Sequence, residues 1–228
     1  MIGGKMSDIG VIYICRFPDP NFHERLTRFV RSWVEHPPGI KCKVYVIYKE
    51  FPTGADMAHA EAQLSPLDPV HIRHYNGHNS YGGGCFLEAC DHVLEPLICT
   101  LVSTTEIMID DWLRTLYESY VFYGAGLVGC TGSKEGQLHI RDTAIIIDRE
   151  LYKSISKQFD YKTSKDGYLE FEHGANNLTI QVMRAGLPVF VVEKERVIEP
   201  NEWPHTTYRG NMHNVLVHDR GARDFQDL

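Results

Sequence analysis

The sequence has no apolar run of the roughly 18 residues that a bilayer-spanning helix needs. Its start, Met1 to Asp8, is polar and glycine-containing, with no signal-peptide core. No C-x-x-C pair occurs among its six cysteines, Cys15, Cys42, Cys85, Cys90, Cys99 and Cys130. Most of them fall inside apolar stretches, the pattern of core thiols in a reducing compartment, and a cytoplasmic location is expected. Positive charge is also scarce. Lys and Arg total 23 against 30 Asp and Glu, for a net charge of −7 and a pI near 5.9. Generic binding to nucleic acid or anionic membrane demands a basic surface, so both classes are excluded. No internal repeat appears, and no linker long enough to separate domains.

What is present suits one α/β domain. The chain has 228 residues, 43% of them hydrophobic and 23% charged, ordinary values for a globular protein of this size. Strand-like and helix-like segments alternate. Ile9 to Cys15 reads as the first strand, broken by Pro18 and Pro20. Asn21 is placed to cap a helix to about His36, with Leu26, Phe29, Val30, Trp33 and Val34 on one face. Strands are predicted at Cys42 to Phe51, His71 to Tyr75, Leu97 to Val102, Gly126 to Cys130, His139 to Ile147 and Pro188 to Val192. Helices are predicted at Ala55 to Leu64, Cys85 to Val93, Asp110 to Tyr123, Arg149 to Phe159 and Leu178 to Ala185. Leu97 to Val102 is continuously apolar, as in a central strand buried on both faces.

This alternation implies a three-layer α/β/α architecture around a mostly parallel sheet. Ligands of such sheets bind beyond the carboxyl ends of the strands. The residues there are Arg16 to Asp19, Lys49 to Thr53, Asn76 to Gly84, Ser103 to Glu106 and Arg141 to Thr143. Arg141 and Asp142 interrupt an apolar strand pattern. Charges inside such a run are costly unless paired or facing a cleft; an acceptor-side role and a structural ion pair both stay open.

The order of these stretches resembles the glycosyltransferase A fold of nucleotide-diphospho-sugar transferases, over roughly residues 9 to 192. The likeness lies in Arg16-Phe17-Pro18 after the first strand, and in the run Asn76-Gly77-His78-Asn79-Ser80-Tyr81-Gly82-Gly83-Gly84 before a helix. It continues in Ile109-Asp110-Asp111-Trp112-Leu113 after the central strand, Gly126-Leu127-Val128-Gly129, and Glu172-His173-Gly174 before a helix ending in Ala-Gly. The resemblance implies an inverting glycosyltransferase moving a sugar, of hexosyl type, from a nucleotide-diphosphate donor to a saccharide or other hydroxyl acceptor, as in polysaccharide biosynthesis. It implies donor contacts at Arg16, Glu50, Asn79, Gly83, Gly84, Thr104, Thr105 and Glu106. A glycine-rich helix start offers N–H groups and a dipole end to a diphosphate; its structural alternative is a tight turn needing positive φ.

The sequence departs from that pattern at two points. The family's turn after the central strand presents Asp-x-Asp to hold Mn2+ or Mg2+; here it reads Ser103-Thr104-Thr105-Glu106. Glu106 is left as the candidate metal ligand, joined by His205 or His218 from the tail, and metal-independent action stays open. Asp110 and Asp111 read as the start of the next helix. The family's catalytic base maps to Asn177, which cannot serve, so Glu172 is the nearest candidate. Arg141, Asp142 and Trp203 are expected on the acceptor side, and residues 198–228 as a closing tail. Other readings are a degenerate domain that binds nucleotide or sugar without turnover, a zinc hydrolase using His71, His74, His78 and Asp68, and a thiol enzyme using Cys85.

Overall fold

The computed structural model describes residues 8–73, 81–133, 136–160, 165–203 and 214–219. Three β-rich, branched runs lie side by side at its centre. β1 (Ile9–Arg16) pairs in parallel with β2 (Lys43–Lys49) and with β4 (Leu97–Leu101), and β2 carries β3 (Val70–Arg73) at one edge. On the far side of β4 the direction reverses. β9 (Ile145–Asp148) runs antiparallel to both β4 and β6 (Leu127–Gly129). β10 (Val189–Val192) is parallel to β6, and β11 (Val197–Ile198) closes the sheet antiparallel. The spatial order is β11-β10-β6-β9-β4-β1-β2-β3, a mostly parallel sheet of eight strands.

Alternation along the strands builds two cores. Ile9, Val11, Tyr13 and Cys15 of β1 enter one apolar cluster; Ile12 and Ile14 enter the other. The first cluster is covered by α1 (Phe22–Glu35), α2 (Gly54–Leu64) and α4 (Trp112–Phe122), through Leu26, Phe29, Trp33, Leu64, Trp112 and Leu116. The second is covered by α3 (Gly82–Ala89), α5 (Arg149–Ser156), α6 (Lys165–His173) and α7 (Leu178–Arg184), through Phe86, Tyr152, Phe171 and Val182. These are the three layers that the alternation of segments implies. None of the described helices is long and apolar enough to cross a membrane.

Four local expectations change. Asn21 precedes α1 with a left-handed backbone (φ 58°) and no side-chain cap. Asp111 does the same before α4, its carboxylate bound by Arg114 and its N–H bonded to Pro37 O at 2.8 Å, so the two aspartates lie before the helix rather than in its first turn. The strand predicted at His139 to Ile147 is two strands. β8 (His139–Ile140) pairs with β7 (Gly132–Ser133), and β9 begins at Ile145. Between them Ala144 takes φ 56°, and its N–H bonds Thr100 O at 2.6 Å. This bend takes Arg141 and Asp142 out of any strand, although Asp142 stays buried. Finally, β5 (Thr105–Ile107) pairs antiparallel with β12 (Val217–Asp219) of the tail. Glu106 is therefore a strand residue, not a turn residue.

Candidate active site at the carboxyl edge of the sheet

The ends of β1, β2 and β4 bring charged side chains to one edge. Arg16, the last residue of β1, bonds Glu50 through Nε (2.9 Å) and Asp19 through a terminal nitrogen (2.6 Å). Glu50 follows β2 with φ 58°, which turns the chain at once. Lys49 is buried, 4.0 Å from the Glu50 carboxylate and 5.7 Å from the centre of the Tyr81 ring, within cation–π range. Asp19 also accepts from the Ser103 hydroxyl and lies 3.5 Å from Arg25. Arg16 and Glu50 thus meet, with Asp19 and Lys49, at the mouth of the first two strands.

The next residue along, Thr104, donates its hydroxyl to Asp219 of β12. Asp219 lies 3.6 Å from the Arg141 guanidinium, which lies 3.5 Å from Glu172 on α6. Tyr168, one helical turn before Glu172, donates to Asp142 at 3.0 Å. The start of α3 completes this group. No side chain caps that helix, and a Cβ on Gly82 would come within 3.2 Å of Asp142 Oδ2. Gly82 is therefore a close approach of backbone to carboxylate, not a positive-φ turn. Gly83 and Gly84 form the first turn, where Gly84 N–H bonds Tyr81 O at 2.9 Å and Gly83 O accepts from Tyr152.

The electrostatics follow from burial. Desolvation, reinforced by the neighbouring Glu172 carboxylate, pushes the Asp142 carboxyl up to about 7. Burial and the Asp142 charge hold the Tyr168 phenol well above its usual range. Burial opposes the charge of Arg141, but Glu172, Asp219 and Asp142 outweigh it and strengthen its hold on the proton.

Other expected residues sit elsewhere. Thr105 is fully buried in β5. Glu106 faces Arg28 at 3.9 Å and is paired in register with His218. Trp203 is a core residue. It is 1% exposed, bonds Ile198 O through its indole N–H, and lies against Gly132, which leaves no surface for an acceptor. Asn177 is a buried cap. Its Oδ1 accepts from Ile180 N–H, and its Nδ2 donates to Leu138 and Gly174 carbonyls. Cys85 is buried and its thiol pushed up to about 12, the opposite of an activated nucleophile. Asn79, His205, His74 and His78 lie outside the described residues. His71 bonds Tyr48 at 2.7 Å. Among the described residues no group of three or more His, Cys, Asp or Glu is arranged to hold a metal ion.

Asp19 and Ser103 fall in stretches that the sequence places at the strand ends, but sequence reasoning gave them no role, and it missed Tyr168 and Asp219 as members of the site. Asp219 had a signal: it comes two residues after the apolar patch Val215 to Val217, whose last residue begins the strand that Asp219 ends.

No protein-family model matches the chain, and no curated protein matches it in sequence. Its fold is similar to those of solved transferases. S. aureus TarS 1-349 in complex with UDP-GlcNAc shares 12% identity with a TM-score of 0.53, over 74% of this chain and 54% of that one. The mannosyltransferase PcManGT from Pyrobaculum calidifontis, in complex with GDP-Man and Mn2+, shares 12% with a TM-score of 0.60, over 90% and 59%. The 4-diphosphocytidyl-2C-methyl-D-erythritol synthase of Anaerococcus prevotii DSM 20548 shares 12% with a TM-score of 0.52, over 82% and 86%. The chain thus spans little more than half of the first two. At this identity the likeness is one of architecture: the chain has the glycosyltransferase A-like fold shared by nucleotide-diphospho-sugar transferases and nucleotidyltransferases.

Proposed function

We propose that this chain is a glycosyltransferase that moves a sugar from a nucleotide-diphosphate donor to an acceptor hydroxyl, with inversion at the anomeric carbon. The observation that carries the reading is the meeting of Glu172, Arg141, Asp142 and Tyr168 beside the uncapped start of α3, at the carboxyl edge of the sheet. In this reading the nucleoside lies near Arg16 and Glu50. The diphosphate lies between the Gly82–Gly84 turn and Thr104. The acceptor, a saccharide or another hydroxyl compound, enters past Asp142. The Glu172 carboxylate takes the acceptor's hydroxyl proton as that oxygen bonds the anomeric carbon. The bond from that carbon to the diphosphate oxygen breaks, and its electron pair leaves with the diphosphate.

The test is Glu172→Gln. Transfer should fall by about 100- to 10,000-fold, the usual contribution of a general base, with donor affinity unchanged. An unaltered rate removes Glu172 from the role. Asn177 favours a second reading, a domain that binds donor without turnover, because the family's base position is occupied here by a structural cap. Nucleoside diphosphate binding with no transfer and no donor hydrolysis, across a panel of sugars, would establish that reading instead.

A further inference from the structure

We infer that the guanidinium of Arg141, rather than a divalent cation, neutralises the diphosphate of the donor. The inference rests on the nucleotide-sugar reading above and concerns how that same site handles charge.

Its starting point is the turn after β4. Ser103 and Thr104 stand there in place of acids, and their hydroxyls donate to Asp19 and Asp219. Glu106 lies on β5 beside Arg28. The turn itself thus presents hydroxyls, and the carboxylates that reach it, Asp19 and Asp219, are bonded to those hydroxyls and paired with Arg25 and Arg141.

Arg141 has the complementary property. Its side chain is 19% exposed, and its two ion pairs, at 3.5 and 3.6 Å, are longer than normal hydrogen bonds. Its Nε is buried with no hydrogen-bond partner. A guanidinium carries five N–H donors; here the terminal nitrogen Nη2 serves the two long ion pairs, and the Nε–H is the donor left buried without a partner. Burying an unsatisfied donor is costly unless a ligand supplies the acceptor. The planar fork of Arg matches a phosphate with two parallel bonds.

Position assigns the ligand. Through Asp219, Arg141 connects to Thr104 at the end of β4; directly, it touches Glu172. It therefore stands between the leaving group's place and the proposed base. As the glycosidic bond breaks, the diphosphate gains negative charge. A fixed cation in a water-poor site stabilises that charge without reorganising. Lys49 and Arg16 on the opposite wall contribute in the same sense, though each is already held by Glu50. A purely structural Arg141, bridging two buried carboxylates, would make no distinction between a nucleoside and its diphosphate.

The test is calorimetric titration of UDP, GDP, CDP and ADP into the purified protein, once in excess EDTA and once with Mn2+. At least one diphosphate should bind with affinities that agree within about threefold between the two conditions. Arg141→Lys keeps a charge among the carboxylates and preserves the fold, but loses the fork. It should weaken that diphosphate about tenfold while leaving the matching nucleoside unaffected. Binding that disappears in EDTA and returns with Mn2+ overturns the inference and leaves the transferase reading standing. So does a diphosphate that Arg141→Lys binds as tightly as the wild type. If no nucleoside diphosphate binds in either condition, the inference and the transferase reading fall together.

Discussion

Asp142 shows what one residue's surroundings do. It is 7% exposed and packed beside Gly82, with Tyr168 donating to it and Glu172 and Arg141 in its field. Desolvation dominates, so its carboxyl holds its proton to about 7 in the folded chain, against 3.8 ordinarily. The folded state therefore binds the extra proton between these values, and stability from this group is present below the lower one and lost as pH rises through the upper. Wild type should accordingly lose stability relative to Asp142→Asn between about pH 4 and 7. Urea unfolding of both proteins across that range checks it, and a constant difference would contradict it. Residue identity alone did not reveal this. Asp142 was recognisable as a costly charge in an apolar run, but the Thr100 carbonyl that holds the bend at Ala144, and the Tyr168 phenol that bonds Asp142, come from distant parts of the chain.

At the scale of elements, most of the sheet was legible. β1, β2 and β4 are β-branched or continuously apolar, and hydrophobic period and proline or glycine stops locate them within a residue or two. What escaped is short or tertiary in origin. α6, with a single fully buried side chain, Phe171, gives little amphipathic signal. β5 and β12 are three-residue strands that exist because they pair with each other. This tail strand is held firmly. Leu216 is fully buried and its carbonyl accepts from Met108 N–H, while Val215 bridges Glu193. Leu216→Ala should lower stability by about 2–5 kcal/mol, the cost of a large-to-small change in a packed core. Because the same strand presents Asp219 to Thr104 and Arg141, nucleoside diphosphate affinity should fall with it. Denaturant unfolding and calorimetry on the one variant test both, and full stability would show that the tail is not clamped as described.

For the whole molecule, two cores on opposite faces of one sheet leave the carboxyl edge as the place where loops from both layers converge. A ligand there ties the layers together and stabilises the fold by linkage. At a hundredfold excess over Kd the gain is about 2.7 kcal/mol, a rise of about 5–10 °C in Tm for a chain of this size. A melting screen over nucleoside diphosphates should single out the preferred base, and a flat response to all of them would argue against the nucleotide reading.

The pairing of β12 with β5 also bears on how the protein is made. Thr104 and Asp219, which meet across the site, are 115 residues apart in the chain. At the pace of translation that separation is a delay on the order of ten seconds. Throughout it, the residues of β1 to β4 have been made while the site is still short of a carboxylate. A ribosome-bound polypeptide stalled before residue 219 emerges lacks the partner of Thr104 and one partner of Arg141, so this part of the cleft is completed only once the tail is made.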